Sequence, residues 1–244
     1  MSRAARILLA AALLALPTAS SALTFAPQIQ FDGGSGPIQV NSFGTLVPSA
    51  SVATWSLDAP TNVGNGLVES WTAQLKEDPF VTNNIVVTNT TTSTQTFIAT
   101  VLLPIPAFAY TAVINSSVGV TVTDSNGDGV LHFANSGATP IYQGIVNAPG
   151  TPTTILSLNP PGLPLSLASC TISFPGCSAT TSTGTAFLAS AGVASSIAIT
   201  LTFDLGAGDS AGLTSRFEII PEPGLLGLAA AGVLGLLAVS RARS

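Results

Sequence analysis

Over residues 197–205 the chain alternates without a break: Ile197, Ile199, Leu201, Phe203 and Leu205 take one side, and Ala198, Thr200, Thr202 and Asp204 take the other. A period of two is what a β-strand needs in order to bury one face. A helix would scatter those apolar side chains around its circumference. Residues 206–210 carry turn chemistry and residues 213–220 run back, so the pattern predicts a hairpin.

The rest of the chain has the same texture. Residues 85–87 lead through a hydroxyl-rich turn region to residues 97–103, which are apolar on both faces and stop at Pro104 and Pro106. That describes a strand covered on both sides at its end. Over residues 111–123, Val118, Val120 and Val122 share one face, with Gly119, Thr121 and Thr123 opposite. A glycine- and proline-rich loop at residues 32–37 precedes a first short strand pair, residues 38–40 and 45–47. Residues 67–75 read two ways. Val68, Trp71 and Leu75 fit a helical stripe, but Asn65-Gly66 and Asp78-Pro79 confine it to about two turns, which favours a strand. Further short runs lie at residues 51–57, 130–133, 141–146, 154–158 and 163–167, each bounded by turn residues. About nine or more such strands predict an all-β fold, an antiparallel β-sandwich over residues 23–220. A parallel β-helix would need an internal repeat of fixed period, and none is present.

Charge narrows the partners. Only 7% of residues are charged, against about 25% in an ordinary domain, so threonine, serine and asparagine must wet the surface. Between residues 23 and 220, Lys76 and Arg216 are the only cations, set against ten acids. Such a domain repels polyphosphates, and nucleic acid is excluded as a partner.

Residues 1–22 begin with Arg3 and Arg6, continue through an apolar stretch from residue 7 to residue 16, and close on Pro17 and the small residues Ser20 and Ala22. This is the layout of a signal peptide cut by signal peptidase after Ala22. Its apolar stretch of about 10 residues is too short to span a bilayer. The cysteines agree with export. Cys170 and Cys177 flank a Pro175-Gly176 turn, and in an oxidising compartment a disulfide between them is expected as a local staple. Two sulfurs and one distant histidine make no zinc set.

Three motifs bear on chemistry. Gly208-Asp209-Ser210-Ala211-Gly212 matches the G-x-S-x-G of serine hydrolases, but that elbow requires a strand-to-helix turn and a histidine later in the chain. No histidine follows Ser210, and His132, the one histidine, precedes it. A plain hairpin turn accounts for the match better, and no catalytic residue is assigned. Asp124-Ser125-Asn126-Gly127-Asp128-Gly129 has the D-x-N-x-D-G spacing that opens a calcium loop, in which alternate oxygens wrap a hard cation. Asp124, Asn126 and Asp128 are the candidate ligands. The twelfth position, however, is Asn135 where a bidentate glutamate belongs, and Asn-Gly and Asp-Gly also favour hairpin turns. Glu69, Glu77 and Asp78 read as a solvated face. The sequons at Asn89 and Asn115 are of a kind common by chance in so Thr- and Ser-rich a chain. No cofactor beyond this calcium candidate is indicated.

The C-terminus carries the most specific signal. Pro221-Glu222-Pro223 precedes an apolar run over residues 225–239 and the basic end Arg241-Ala242-Arg243-Ser244. Those 15 residues would make a helix of about 22 Å against a hydrocarbon core of about 30 Å. The arginines behind it suit a cytoplasmic end. Together these three parts resemble the PEP-CTERM sorting signal of Gram-negative bacteria that make extracellular polysaccharide, over residues 221–244. The resemblance implies recognition of Pro221, Glu222, Pro223, Arg241 and Arg243 by an exosortase, transient residence in the inner membrane and removal of the tail. The body would then reach the cell surface or the extracellular medium. The expected role is a non-enzymatic surface or biofilm-matrix protein, in contact with extracellular polysaccharide. The alternatives are a secreted carbohydrate- or calcium-binding module and, third, a hydrolase.

Overall fold

The computed structural model describes residues 26–49, 52–76, 79–107, 112–147, 152–160, 165–167, 178–189 and 193–221. Ala22 and the signal segment, Glu77 and Asp78, Cys170 and Cys177, and the tail from Glu222 through Arg241 and Arg243 lie outside the described residues. So do both of the terminal helices expected from the sequence.

The chain forms β1 (Gln28–Asp32), β2 (Ile38–Gln39), β3 (Gly44–Val47), β4 (Ala53–Leu57), β5 (Thr61–Val63), β6 (Gly66–Lys76), β7 (Phe80–Asn89) and β8 (Gln95–Pro104). It continues through β9 (Ala112–Thr123), β10 (Leu131–Ala134), β11 (Tyr142–Val146), β12 (Thr153–Leu158), β13 (Leu165–Leu167), β14 (Ser178–Ala189), β15 (Ser196–Leu205) and β16 (Ser210–Pro221). One 3-10 turn, Asn41–Phe43, is the only helical element among the described residues. The first sheet runs β12-β11-β15-β8-β1-β2, with β10 joining β15 and β13 joining β10. The second runs β14-β9-β16-β7-β6-β4-β3, with β5 beside β6. Neighbouring strands are antiparallel, and the fold is the expected all-β sandwich.

Alternation in the sequence becomes burial in the fold. Along β7 every second residue from Val81 to Asn89 is buried. The core is bound by a chain of aromatic contacts that crosses between the sheets at Trp71 and Phe31. Trp55 meets Trp71 edge to face at 5.7 Å, Trp71 meets Phe31 at 6.2 Å, Phe31 stacks on Phe97 at 5.9 Å, and Phe203 lies between Phe97 and Phe133 at 5.8 and 5.3 Å. Trp55 and Trp71 belong to the second sheet and the four phenylalanines to the first. Each such pair contributes about 0.5–1.5 kcal/mol beyond burial. A polar tie crosses as well: the buried Tyr142 hydroxyl of β11 donates to the Arg216 carbonyl of β16 at 2.9 Å, and burial raises its pKa.

Two sequence expectations are corrected. The strongest alternation does not end in a hairpin: β15 pairs with β8, β11 and β10 in the first sheet, whereas β16 pairs with β7 and β9 in the second. Residues 206–209 therefore cross from one sheet to the other, because each strand finds a longer ladder with strands remote in sequence. β15 is also covered on both faces. Ala198 is buried, since in register it stands between Leu102 of β8 and Ile145 of β11. The first short strand pair is likewise divided. β2 pairs with β1 and β3 with β4, because the 3-10 turn between them carries the chain from sheet to sheet. Residues 67–75 form a strand within β6.

Candidate functional site

The crossover, the loop between β9 and β10, and the end of β7 meet at one end of the sandwich. Asp124 begins that loop and is buried, with Oδ1 accepting from the Gly127 N–H at 2.8 Å and Oδ2 from the Gly129 N–H at 2.9 Å. Gly127 and Gly129 have φ of 72° and 80°, a left-handed backbone that a side chain would strain. Asp128 accepts from the Val130 N–H at 2.8 Å and from Asn126 Nδ2 at 2.9 Å. Asn126 Oδ1 in turn accepts from the Asp128 N–H at 3.0 Å. The sequence spacing thus folds into a tight loop in which the Asp124 carboxylate is buried and the exposed Asp128 carboxylate is held by its own loop. Asn135 takes no part: its Nδ2 donates to the Gly137 carbonyl at 2.6 Å, beyond β10.

The crossover packs directly on this loop. Asn126 Nδ2 donates to the Ala207 carbonyl at 2.9 Å. A Cβ on Gly208 would lie 2.4 Å from that same nitrogen, so the approach requires glycine. Asp209 follows. It is 1% exposed, its Oδ2 accepts from the His132 N–H at 2.9 Å, and its Oδ1 is buried with no hydrogen-bond partner. Burial lifts its pKa to about 6; the His132 N–H opposes the shift, while the charges of Asp124 and Asp128 add to it. Nothing in the local sequence distinguishes Asp209 from an ordinary turn aspartate. Its role becomes visible only when the crossover is seen to lie against residues 124–129.

Asn89 completes the junction. Its Nδ2 donates to the carbonyls of Ser93, Leu205 and Gly206, and its Oδ1 accepts from the Thr91 N–H. The sequon nitrogen at Asn89 is therefore buried and engaged. Ser210 opens β16 in register with Thr88 and Thr123, so it sits in a ladder and on no strand-to-helix turn. The contact between Asp209 and His132 is made through the histidine's backbone. These residues do not assemble a nucleophile elbow.

A second feature lies on the outer face of the second sheet, a groove of about 340 Å³ whose lining includes Thr72, Gln74, Thr82, Asn84, Thr214 and Arg216. Arg216 pairs with Glu218 at 2.6 Å and lies 5.2 Å over the Phe80 ring. Hydroxyls and amides dominate this groove, which suits an uncharged, hydroxyl-rich molecule. Glu69 is exposed and accepts from the Thr88 hydroxyl. No helix among the described residues is long and apolar enough to cross a membrane. No family model and no curated protein matches the chain.

Proposed function

We propose that this is an exported surface or matrix protein, delivered by an N-terminal signal peptide and processed at its C-terminus by an exosortase. The observation that carries this reading is the ordered tail: Pro221-Glu222-Pro223, an apolar run too short for a comfortable span, and Arg241 and Arg243 at its end. The body is compatible with a role outside the cell. Its low charge leaves Thr, Ser, Asn and Gln facing solvent, and its aromatic-stitched sandwich needs no partner to bury its core. Pro221 is both the last residue of β16 and the first of the sorting tripeptide, so processing would occur right beside the folded domain.

Replacing Pro221, Glu222 and Pro223 together with alanine tests the reading. The expected result is an uncleaved precursor held in the inner membrane, seen by intact-mass analysis and fractionation. A mature protein of unchanged mass and location refutes it. The polar groove supports a second reading, a carbohydrate-binding module. Glycan-array binding that Asn84→Ala and Gln74→Ala together abolish would favour it.

A further inference from the structure

We propose that residues 124–130 and Asp209 form a calcium site, in which Asp209, arriving from the inter-sheet crossover, takes the place of the twelfth-position glutamate that the loop lacks. Asp124, Asn126 and Asp128 stand at the first, third and fifth positions, and the Val130 carbonyl at the seventh. The Asp124 carboxylate is already held inward by two glycine N–H groups, and each of its oxygens keeps a lone pair for a metal.

Asp209 is the observation that turns an acidic loop into a site. Its Oδ2 is anchored on the N–H of His132, the ninth position, so the carboxylate lies where the later ligands of such a loop come in. Its Oδ1 is buried and meets no donor. A buried anionic oxygen with no donor needs either a proton or a cation. The described cations are remote. Arg216 is six residues along β16 from Ser210, about 20 Å, and is paired with Glu218. Lys76 lies at the end of β6 opposite Gly66, the partner of Asn89.

Among the described residues no three carboxylate or imidazole groups stand in finished ligating geometry. Closure therefore requires Asp128 to turn from Asn126 toward Asp209. Carboxylate, amide and backbone oxygens in an irregular set suit calcium, which accepts six to eight oxygens, better than magnesium, which demands a near-ideal octahedron. Bound there, the ion would clamp the loop to the crossover that joins the sheets.

The test is thermal unfolding of the full chain in mild detergent at pH 7.5, in EDTA, in 10 mM magnesium and in 10 mM calcium. For a site of about 10⁻⁴ M affinity, calcium should raise Tm by about 5–10 °C. Magnesium should raise it by less than 2 °C. Asp209→Asn should remove the calcium shift while keeping its far-UV circular dichroism. If D209N does not fold, Asp124→Asn carries the same test. No calcium shift in the wild type, or a full shift retained in the folded variant, overturns the proposal.

Discussion

The side chain of Asn89, the last residue of β7, donates a 2.8 Å hydrogen bond to the carbonyl of Gly206, just past β15. This bond ties the second sheet to the first at the crossover. The same nitrogen serves Ser93 and Leu205, at 2.8 and 3.0 Å. Asn89→Ala removes this shared donor, leaving the Gly206 carbonyl with the Asp209 N–H at 3.3 Å and the Ser93 carbonyl with the Thr91 hydroxyl at 2.9 Å. A loss of about 1–3 kcal/mol is expected from the buried hydrogen bonds removed. Urea unfolding should show a lower midpoint at unchanged slope, and an unchanged midpoint would show the knot to be dispensable.

Asp209 should make stability depend on pH in the direction opposite to an ordinary salt-bridged aspartate. Its folded pKa of about 6 exceeds the unfolded value of 3.8, so the native state binds the proton more tightly. The resulting stabilisation is complete below the unfolded pKa and is lost as pH rises through about 6. The full swing is about 3 kcal/mol at 1.36 kcal/mol per pKa unit. In EDTA, Asp209→Asn should lack this component and exceed the wild type in stability at pH 8. Parallel stability curves for the two proteins between pH 4 and pH 8 would contradict it.

The Phe203 ring lies between Phe97 and Phe133 and is fully buried, whereas Phe43 is 39% exposed. Phe203→Ala should cost about 3–5 kcal/mol by opening a cavity, while Phe43→Ala should stay within about 0.5 kcal/mol. Chemical denaturation of both variants checks the contrast, and equal losses would place the core elsewhere.

Local alternation made the strands legible, because side-chain direction along a strand depends only on neighbours in sequence. Val118, Val120 and Val122 were expected on one face and are all buried. Partner choice is a different quantity. Residues 206–210 look like a hairpin turn from their composition, yet β15 finds a ten-residue ladder with β8, and β16 finds one of twelve with β9. The calcium-like loop was legible from its spacing, and Asp209 was not, because it comes from a different part of the chain. Asn89 was visible only as a sequon, and the two distant carbonyls of Leu205 and Gly206 define what it does.

The ambiguous segment at residues 67–75 has a physical resolution that can be tested by deletion. Val68 and Trp71 are both buried although three residues apart, which is helical spacing. A β-bulge reconciles them: Val68 pairs with Val87 and Ser70 with Val86, so Glu69 is the extra residue. Removing Glu69 would leave Val68, Ser70 and Trp71 opposite Val87, Val86 and Ile85 in an unbroken ladder, with both apolar side chains still inward. The loss would be the hydrogen bond from Thr88 and the local twist, about 1 kcal/mol. Removing Ala73 instead would shift every residue on one side of the gap to the wrong face of the sheet. The Glu69 deletion should give a folded protein with near-native tryptophan fluorescence from Trp55 and Trp71, and the Ala73 deletion should not. If both deletions fold equally well, the register of β6 is not what holds Trp71 in the core.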